Sequence, residues 1–338
     1  MMTARGAVLF AAGLMAACVV SFNPAHADAI DVRAASIPLY PDQPGERRAG
    51  ALLYRGGLLL SSGDKRFGGW SDLAVSADGG ELLAVSDEAH WLRARLSYSG
   101  AGDLAGLNAA DIAAMVDLDG KPMRGKAGDA EGLTLERAND LNGPAVVSFE
   151  RDVRLWRYDL SQGFTARPVN VAIGPWVEPL RNNSQLEALT LLNPDTLLVF
   201  AESKIGTEDI RGALEAYPGS GQARTRTLSV IPHDPFVVTA AANAPDGGIF
   251  ILQRRYSFMG GVGMELRHVG AGELREGARL EGEVLANLSF QDTNIDNMEG
   301  IAVRRGPNGE TLLYLISDNN FSPLQRTLLL MFELRSAN

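Results

Sequence analysis

Cysteine is nearly absent from this chain of 338 residues. The one cysteine, Cys18, lies in an apolar N-terminal run. A chain that loses this run on export keeps no thiol, which excludes disulfide bonds and thiol chemistry. The four histidines do not show the spacing of a zinc site. The sequence also lacks a Gly-x-Ser-x-Gly motif, so the serine site of an α/β-hydrolase is not expected.

Clusters of positive charge and long apolar runs are missing too. The chain has 31 basic and 41 acidic residues, which gives a formal charge of −10 with no basic run to offset it. Nucleic acid is therefore excluded as a partner, since binding to phosphate backbones needs a concentrated basic face. After the N terminus no apolar stretch is long enough to cross a bilayer, so no membrane span is predicted.

The N terminus has the pattern of an export signal. Arg5 precedes an apolar core, and Ala25-His26-Ala27 forms a small-x-small cleavage pattern. We therefore predict a signal peptide over residues 1–27 and a periplasmic or secreted protein. A lipoprotein with a lipidation box at residues 15–18 is the less favoured alternative, because the apolar run continues past Cys18. An N-terminal segment over residues 28–50 and a single domain over residues 51–338 would follow.

One pattern of apolar strands and acidic residues recurs along the rest of the chain. Each copy has a short apolar strand beside an acid, a polar turn, and a second apolar strand with a charged end. The copies contain WSDLAV and LLAVSDE, DAEGLTL and VSFER, QLEALTL and FAES, a weaker VVTAAA and FILQRR, and NMEGIAV and LISDNNF. They start about 54 to 59 residues apart, and a fixed period of this size indicates a repeat architecture.

Each repeat divides into four short strands, which predicts an all-β fold built as a β-propeller. The fifth repeat is one strand short, while the apolar strand at residues 51–62 has no repeat of its own. That N-terminal strand is expected to complete the last blade and close the ring, which removes exposed sheet edges. Counting gives five blades, with six as the alternative. In the first repeat, Asn108 is predicted to cap a short helical insert with Ile112 and Met115 on its apolar face.

The acids that open the repeats are the first candidates for chemistry. The first strand of each blade should line the central channel, so these acids are expected to converge at one mouth of it. They are Asp72, Glu131, Glu187 and Glu299. Carboxylates brought together in this way repel one another unless a cation or a proton intervenes, and oxygen donors without His or Cys favour Ca²⁺ over zinc. The alternative is that each acid accepts hydrogen bonds from backbone amides between blades.

A second set of charged residues ends the second strands. Four of them are acids, and we expect them to form an outer acidic tier: Asp87, Glu150, Glu202 and Asp318. Arg254 takes the corresponding place in the fourth repeat, where it binds an anionic substrate or forms an ion pair between blades. Aromatic residues beside the motifs either wall a pocket or belong to the core; they are Trp70, Trp91, Trp176 and Phe321.

Taken together, the five motifs resemble the phytase-like family, which is also described by its esterase-like activity. The likeness runs from about Trp70 to Leu334 and implies a β-propeller in an exported protein of bacterial type. Propeller phytases use bridging Ca²⁺ ions to hold phosphate and activate water. By that likeness the acids on the metal side are Glu131, Glu187, Glu299 and Asp318. The sequence departs from phytases in lacking a Lys and Arg cluster that would hold a highly phosphorylated inositol.

We therefore expect a Ca²⁺-assisted hydrolase of phosphate or carboxylic esters, with a small-molecule substrate that is anionic or an ester. Glu131 and Glu299 are the predicted catalytic residues, and Arg254 is predicted to bind substrate. The predicted metal ligands are Asp72, Glu131, Glu187, Glu299 and Asp318. Two alternatives share these acids: a non-catalytic propeller that binds a ligand or a protein, and a lactonase-type propeller with a central Ca²⁺. The oligomeric state is left open.

Overall fold

Five small sheets surround a common axis in the computed structural model of this protein, and the five-bladed β-propeller predicted from the repeats is confirmed. The structure describes residues 27–180, 186–206, 208–217, 225–257 and 260–335. The predicted signal peptide and the lipidation box lie almost entirely in residues 1–26, outside the described residues. No helix in the described ranges is long and apolar enough to cross a membrane.

The first three blades are consecutive in the chain, and each has four antiparallel strands counted outward from the axis. The strands of blade 1 are Trp70–Val75, Glu81–Ser86, His90–Tyr98 and Leu104–Ala114. Those of blade 2 are Ala130–Leu135, Pro144–Phe149, Arg154–Asp159 and Val169–Val171. Those of blade 3 are Leu186–Asn193, Thr196–Ala201, Ile210–Ala216 and Arg226–Val230.

The ring closes in the fifth blade, where the two ends of the domain meet. Blade 4 consists of Val237–Asn243, Ile249–Ser257, Gly261–Val269 and Glu283–Ser289. Blade 5 consists of Met298–Arg305, Thr311–Ser317, Thr327–Leu334 and the N-terminal strand Leu52–Ser62. This last strand pairs antiparallel with Thr327–Leu334, in a register that sets Leu334 opposite Leu52 and Thr327 opposite Leu60. The predicted closure by an N-terminal strand is confirmed.

Short additional elements cover the outside of three blades. Within residues 28–50, Asp28–Ile30 pairs with the outer strand of blade 1, and Val32–Ile37 pairs with Leu52–Ser62 in blade 5. The N-terminal segment therefore contributes strands to two of the propeller's sheets. Arg279–Leu280 runs parallel to the outer strand of blade 3, and Arg48–Ala49 extends blade 5. Four 3₁₀ helices lie in the connections: Gly125–Gly128, Leu160–Gln162, Pro175–Leu180 and Ala271–Glu273.

The helical insert predicted at Asn108 is wrong, because this segment is the strand Leu104–Ala114. The strand pairs with His90–Tyr98, but a β-bulge at residues 109–110 shifts the register, and Ala109 has a left-handed φ of 47°. The bulge breaks the two-residue alternation of a strand, so buried residues follow one another at 104, 107 and 110. That three-residue spacing imitates one face of a helix in the sequence.

Inner strands meet inner strands of the neighbouring blades, and this contact positions the site. The strands nearest the axis are buried along almost their whole length, since both faces pack against other blades. They read as continuous apolar runs for that reason. All five first strands run in the same direction, so they begin at one mouth of the channel and end at the other. We call the face where they begin the upper face.

Candidate functional site

Each inner strand has a β-bulge at the same point, close to its start. The bulged positions are Ser71, Glu131, Glu187, Thr239 and Glu299. A bulge inserts an unpaired residue and re-aims its side chain. Three blades therefore carry a glutamate at this point, and all three glutamates line one cavity at the upper mouth.

The second strands end beside the bulges, and the residue after the last ladder pair also faces the mouth. The register is the same in every blade: for example, Trp70 pairs with Ser86, and Asp87 follows. The corresponding residues are Asp87, Glu150, Glu202, Arg254 and Asp318, all of which line the cavity. The expected outer tier of four acids and one arginine is therefore brought together at the upper mouth.

The resulting cavity, which we call the acid cavity, has a volume of about 460 Å³. It gathers most of the residues predicted as a site, including Glu131, Glu187, Glu299, Asp318 and Arg254. Eight carboxylates and two arginines contribute to its lining. The carboxylates belong to Asp87, Asp129, Glu131, Glu150, Glu187, Glu202, Glu299 and Asp318, and the arginines are Arg151 and Arg254.

Asp72 does not lie in the acid cavity, which corrects its expected position at the mouth. It directly follows the bulged residue Ser71, so its buried side chain points between blades. Its Oδ1 accepts hydrogen bonds from the amides of Leu73 (2.8 Å) and Ile301 (3.2 Å), and its Oδ2 accepts one from Leu133 (2.8 Å). Burial raises the pKa of this carboxyl group, and the three amides act in the opposite direction. Asp72 thus links blades 1, 2 and 5, as the structural alternative for these acids proposed.

Crowding and burial strongly perturb the three bulge glutamates. Burial raises the pKa of Glu131 well above its usual range, and Glu187, Asp129 and Glu299 add to the rise. Burial does the same to Glu187, with further contributions from Glu202 and Glu299. The pKa of Glu299 rises less, to about 7, because Arg254 opposes the effect of burial. These groups resist carrying full negative charge together.

The outer tier shows the same effect. Burial and the neighbouring Asp318 raise the pKa of Asp87 to about 8. Burial, followed by Asp129, raises the pKa of Glu150 to about 6, and burial raises that of Asp318 to about 6. Acids that hold protons at neutral pH will release them when a cation supplies compensating charge.

Arg254 lies among the carboxylates and joins blade 4 to its neighbours. Its Nε lies 2.9 Å from Glu299 Oε1, and its Nη2 donates to Glu202 Oε1 at 3.4 Å. Glu299 Oε1 also accepts a hydrogen bond of 2.7 Å from Asn297 Nδ2. The surrounding carboxylates, above all Glu299, raise the pKa of Arg254 further. Glu299 is thereby fixed in orientation from two sides.

One group in the described residues has the geometry of a metal site. Asp129, Glu131 and Glu150 each offer a carboxylate oxygen, and these atoms lie within 4.8 Å of one another. Of the predicted metal ligands, only Glu131 belongs to this group. Asp129 was missed by the sequence analysis, although it precedes its bulge glutamate by two residues, as Asn297 precedes Glu299. That spacing is the sign that identifies it.

The aromatic residues near the motifs divide between core and surface. Trp70 and Trp91 are fully buried in the core. Trp176 is partly buried and donates from Nε1 to Glu215 Oε1 at 2.6 Å. Phe321 is the one of the four that is exposed, beside the upper mouth. The core interpretation therefore holds for two tryptophans, and of the four aromatic residues only Phe321 is exposed enough to wall a pocket.

A comparison with protein families agrees with this architecture. The model of the phytase-like family, described as esterase-like activity of phytase, matches residues 65–321. The chain belongs to the phytase-like family. Membership in this family confirms the resemblance of the five motifs and favours a hydrolase-type propeller. A search of curated proteins gives no match to the chain.

Proposed function

We propose that the acid cavity binds Ca²⁺ and hydrolyses phosphate or carboxylic esters of small molecules. The observation that supports this most directly is the convergence of eight carboxylates from four blades on one cavity of about 460 Å³. Such a concentration of acids is unfavourable without a cation. In a structural propeller core, these positions would instead be apolar or would accept backbone amides, as Asp72 does.

The donor set suits a hard cation. Asp129, Glu131 and Glu150 would hold it, since three carboxylate oxygens lie within 4.8 Å of one another and the described residues that line the cavity include no His or Cys. Oδ1 of Asp87 is buried and has no hydrogen-bond partner within the described residues, so a further oxygen donor lies in the same cavity. Ca²⁺ accepts wide and irregular carboxylate shells more readily than Mg²⁺.

Glu299 is suited to act as the general base. It faces the cavity, it is oriented by Arg254 and Asn297, and its pKa of about 7 matches the range in which a carboxylate accepts a proton efficiently. Asp129, Glu131 and Glu150 would hold a cation beside it, and that cation would supply the positive charge that polarises an ester oxygen. Glu299 would take the proton of the attacking water and later return it to the leaving oxygen. Arg254 then serves to orient Glu299 and Glu202, in place of the substrate-binding role expected from the sequence.

The proposal extends to location and to its alternatives. The N-terminal pattern over residues 1–27 supports a periplasmic or secreted enzyme. A non-catalytic propeller would bind Ca²⁺ without turnover, and a lactonase-type propeller would open cyclic esters at the same acids. A panel of p-nitrophenyl phosphate, p-nitrophenyl acetate and a γ-lactone separates these possibilities.

Calcium titration tests the site directly. Isothermal titration calorimetry should show Ca²⁺ binding to the chain, and Glu131→Gln should weaken it by about 10- to 100-fold, because a ligand from the acid cluster is lost. Glu276→Gln is the matched control, since this glutamate is exposed and does not line the acid cavity. If Ca²⁺ does not bind, or if Glu131→Gln and Glu276→Gln bind it equally well, the proposed site is wrong.

A further inference from the structure

Large apolar side chains stand exposed around the acid cavity. Tyr256 contributes to the cavity wall and is 68% exposed. Phe321 and Leu324 are 43% and 90% exposed, and they belong to the loop that also places Asn320 and Gln325 in the wall. Exposed apolar groups that adjoin a polar cavity are characteristic of a ligand-binding rim. We call Tyr256, Phe321 and Leu324 the apolar rim.

Phe321 is held in a strained turn. Asn320 and Phe321 both have left-handed φ values, 47° and 49°, which are uncommon for residues with a side chain. The turn persists because Asp318 Oδ1 accepts from the Asn320 amide (2.6 Å) and Asn319 Oδ1 accepts from the Phe321 amide (3.2 Å). Strain of this kind accumulates at functional sites, and here it presents an aromatic ring to solvent.

The ring of Phe321 lies beside a carboxyl group of the cavity. It packs on Gly68 and Gly69, and a Cβ atom at Gly69 would lie 2.7 Å from Phe321 Cε2 and 1.9 Å from Asp87 Oδ1. Asn319 Oδ1 fixes this arrangement, since it also accepts from the Gly69 amide at 3.1 Å. A residue larger than glycine at position 69 would displace either the Phe321 ring or the Asp87 carboxyl group. The positions of the apolar rim and of the acids therefore depend on each other.

Among the described residues that line it, the cavity has no cation to spare for a polyanionic substrate. Of its two arginines, Arg254 contacts Glu299 and Glu202, and Arg151 is paired with Asp129. Phosphate groups beyond the one at the reacting centre would meet carboxylates with no opposing side chain. The rest of the described lining is uncharged, and the apolar rim adjoins it.

On the basis of the proposed function, we infer that the apolar rim selects the substrate: Phe321, with Tyr256 and Leu324, receives the apolar part of an ester whose reacting group enters the acid cavity. The substrate class is then an ester with one small polar head and an alkyl or aryl chain. The rim residues determine specificity by contact with the chain and take no part in proton transfer.

Two series of compounds test this inference. With p-nitrophenyl acetate, butyrate and octanoate, kcat/KM should rise with chain length in the unmodified protein. Phe321→Ala should lower kcat/KM for octanoate by about tenfold through KM, the order expected for loss of an apolar contact surface, and should lower kcat/KM for acetate much less. Leu118→Ala is the control, because Leu118 is also 43% exposed but belongs neither to the cavity lining nor to the loop that carries Phe321.

Binding without turnover separates the rim from the hydrolase. By calorimetry in the presence of Ca²⁺, octylphosphonate should bind about tenfold more tightly than methylphosphonate, and Phe321→Ala should remove the difference. Tighter binding of octylphosphonate without any ester hydrolysis would support the apolar rim and contradict the proposed hydrolase activity. Hydrolysis with equal affinity for both phosphonates overturns the rim. If thermal melting shows that Phe321→Ala is unfolded, Tyr256→Ala provides the same comparison.

Discussion

The two mouths of the central channel are alike in size and differ in how their polar groups are satisfied. The lower mouth opens into a cavity of about 520 Å³, and the acid cavity measures about 460 Å³. At the lower mouth, Asn139 Nδ2 donates to the carbonyls of Val75 and Val303, and Asn243 Nδ2 donates to that of Leu191. Thr190 Oγ1 donates in turn to Asn243 Oδ1. These polar groups hold the blades together and offer little to a ligand.

The upper mouth has the opposite character. Its carboxylates outnumber its arginines eight to two, and the pKa values of several are raised because burial and like charges disfavour ionisation. Buried polar groups in proteins are normally satisfied. The repeated inner strands thus have one end whose polar groups hold the blades together and one end that gathers crowded carboxylates, and the latter is where we propose that the chemistry takes place.

The largest effect that this difference predicts concerns Glu299 at the upper mouth. Glu299→Gln should lower kcat for the best ester by about 10² to 10⁴, because the amide cannot accept the proton of the attacking water. Ca²⁺ affinity should change much less, since Glu299 lies outside the Asp129, Glu131 and Glu150 group. Steady-state kinetics and calorimetry on the same preparation measure both quantities.

A lower-mouth variant gives the matched control. Asn243→Ala removes two hydrogen bonds, to Leu191 O and from Thr190 Oγ1, so the free energy of unfolding should fall by about 1–3 kcal/mol. Its kcat should equal that of the unmodified protein. A loss of activity in Asn243→Ala comparable to that in Glu299→Gln would show that the two mouths do not divide structure from chemistry.

Asp72 tests the difference between the two mouths further, because it is an acid of an inner strand whose role is structural. Asp72→Ala should lower the free energy of unfolding by about 3 kcal/mol, since three buried amides lose their acceptor. Urea unfolding followed by circular dichroism measures the change. At temperatures where the variant is folded, its Ca²⁺ affinity should match that of the unmodified protein. A large loss of Ca²⁺ affinity would return Asp72 to the metal site.

The smallest predicted effect is a dependence of stability on pH. The folded-state pKa values of Asp87 (about 8), Glu299 (about 7), and Glu150 and Asp318 (both about 6) are raised above those of unfolded chains. The folded state then binds more protons, so stability falls as pH rises through this range. Without Ca²⁺, the melting temperature should drop by at least a few degrees between pH 5.5 and 8.5, because these carboxyl groups lose their protons over this range.

Added Ca²⁺ should reverse that slope, because binding requires deprotonated ligands and is strongest at the higher pH. Differential scanning fluorimetry in EDTA and in Ca²⁺, at four pH values, is sufficient. A melting temperature that rises with pH in EDTA would mean that the carboxylates are not crowded as the structure indicates.

The fold and much of the site could be predicted from the sequence, for a physical reason. A four-stranded blade needs a nearly constant length of chain, so counting the repeats gave five blades and identified the closing strand Leu52–Ser62. Glu131, Glu187, Glu299 and Asp318 were identified because the blades place equivalent positions at the same height around the axis.

What the sequence could not show is where a strand bulges. Side chains alternate with a period of two, so an error of one residue moves a side chain to the other face. Ser71, not Asp72, is equivalent to Glu131, and Asp72 matches the small residues Gly132 and Ala188. The same cause produced the false helix at Asn108. The hydrogen bonds of the completed sheet determine where a bulge forms, and no characteristic amino-acid composition marks that position in the sequence.

The closing strand also determines when the acid cavity is complete. Blade 5 joins residues near 52 to residues near 334, a contact that spans almost the whole sequence and is costly to form early. The acid cavity takes side chains from blade 5. Blade 5 holds these side chains in place only after Thr327–Leu334 has paired with a strand on each of its two sides. The proposed reaction therefore needs a closed ring even though the three proposed calcium ligands lie in blade 2, because the proposed base Glu299 belongs to blade 5.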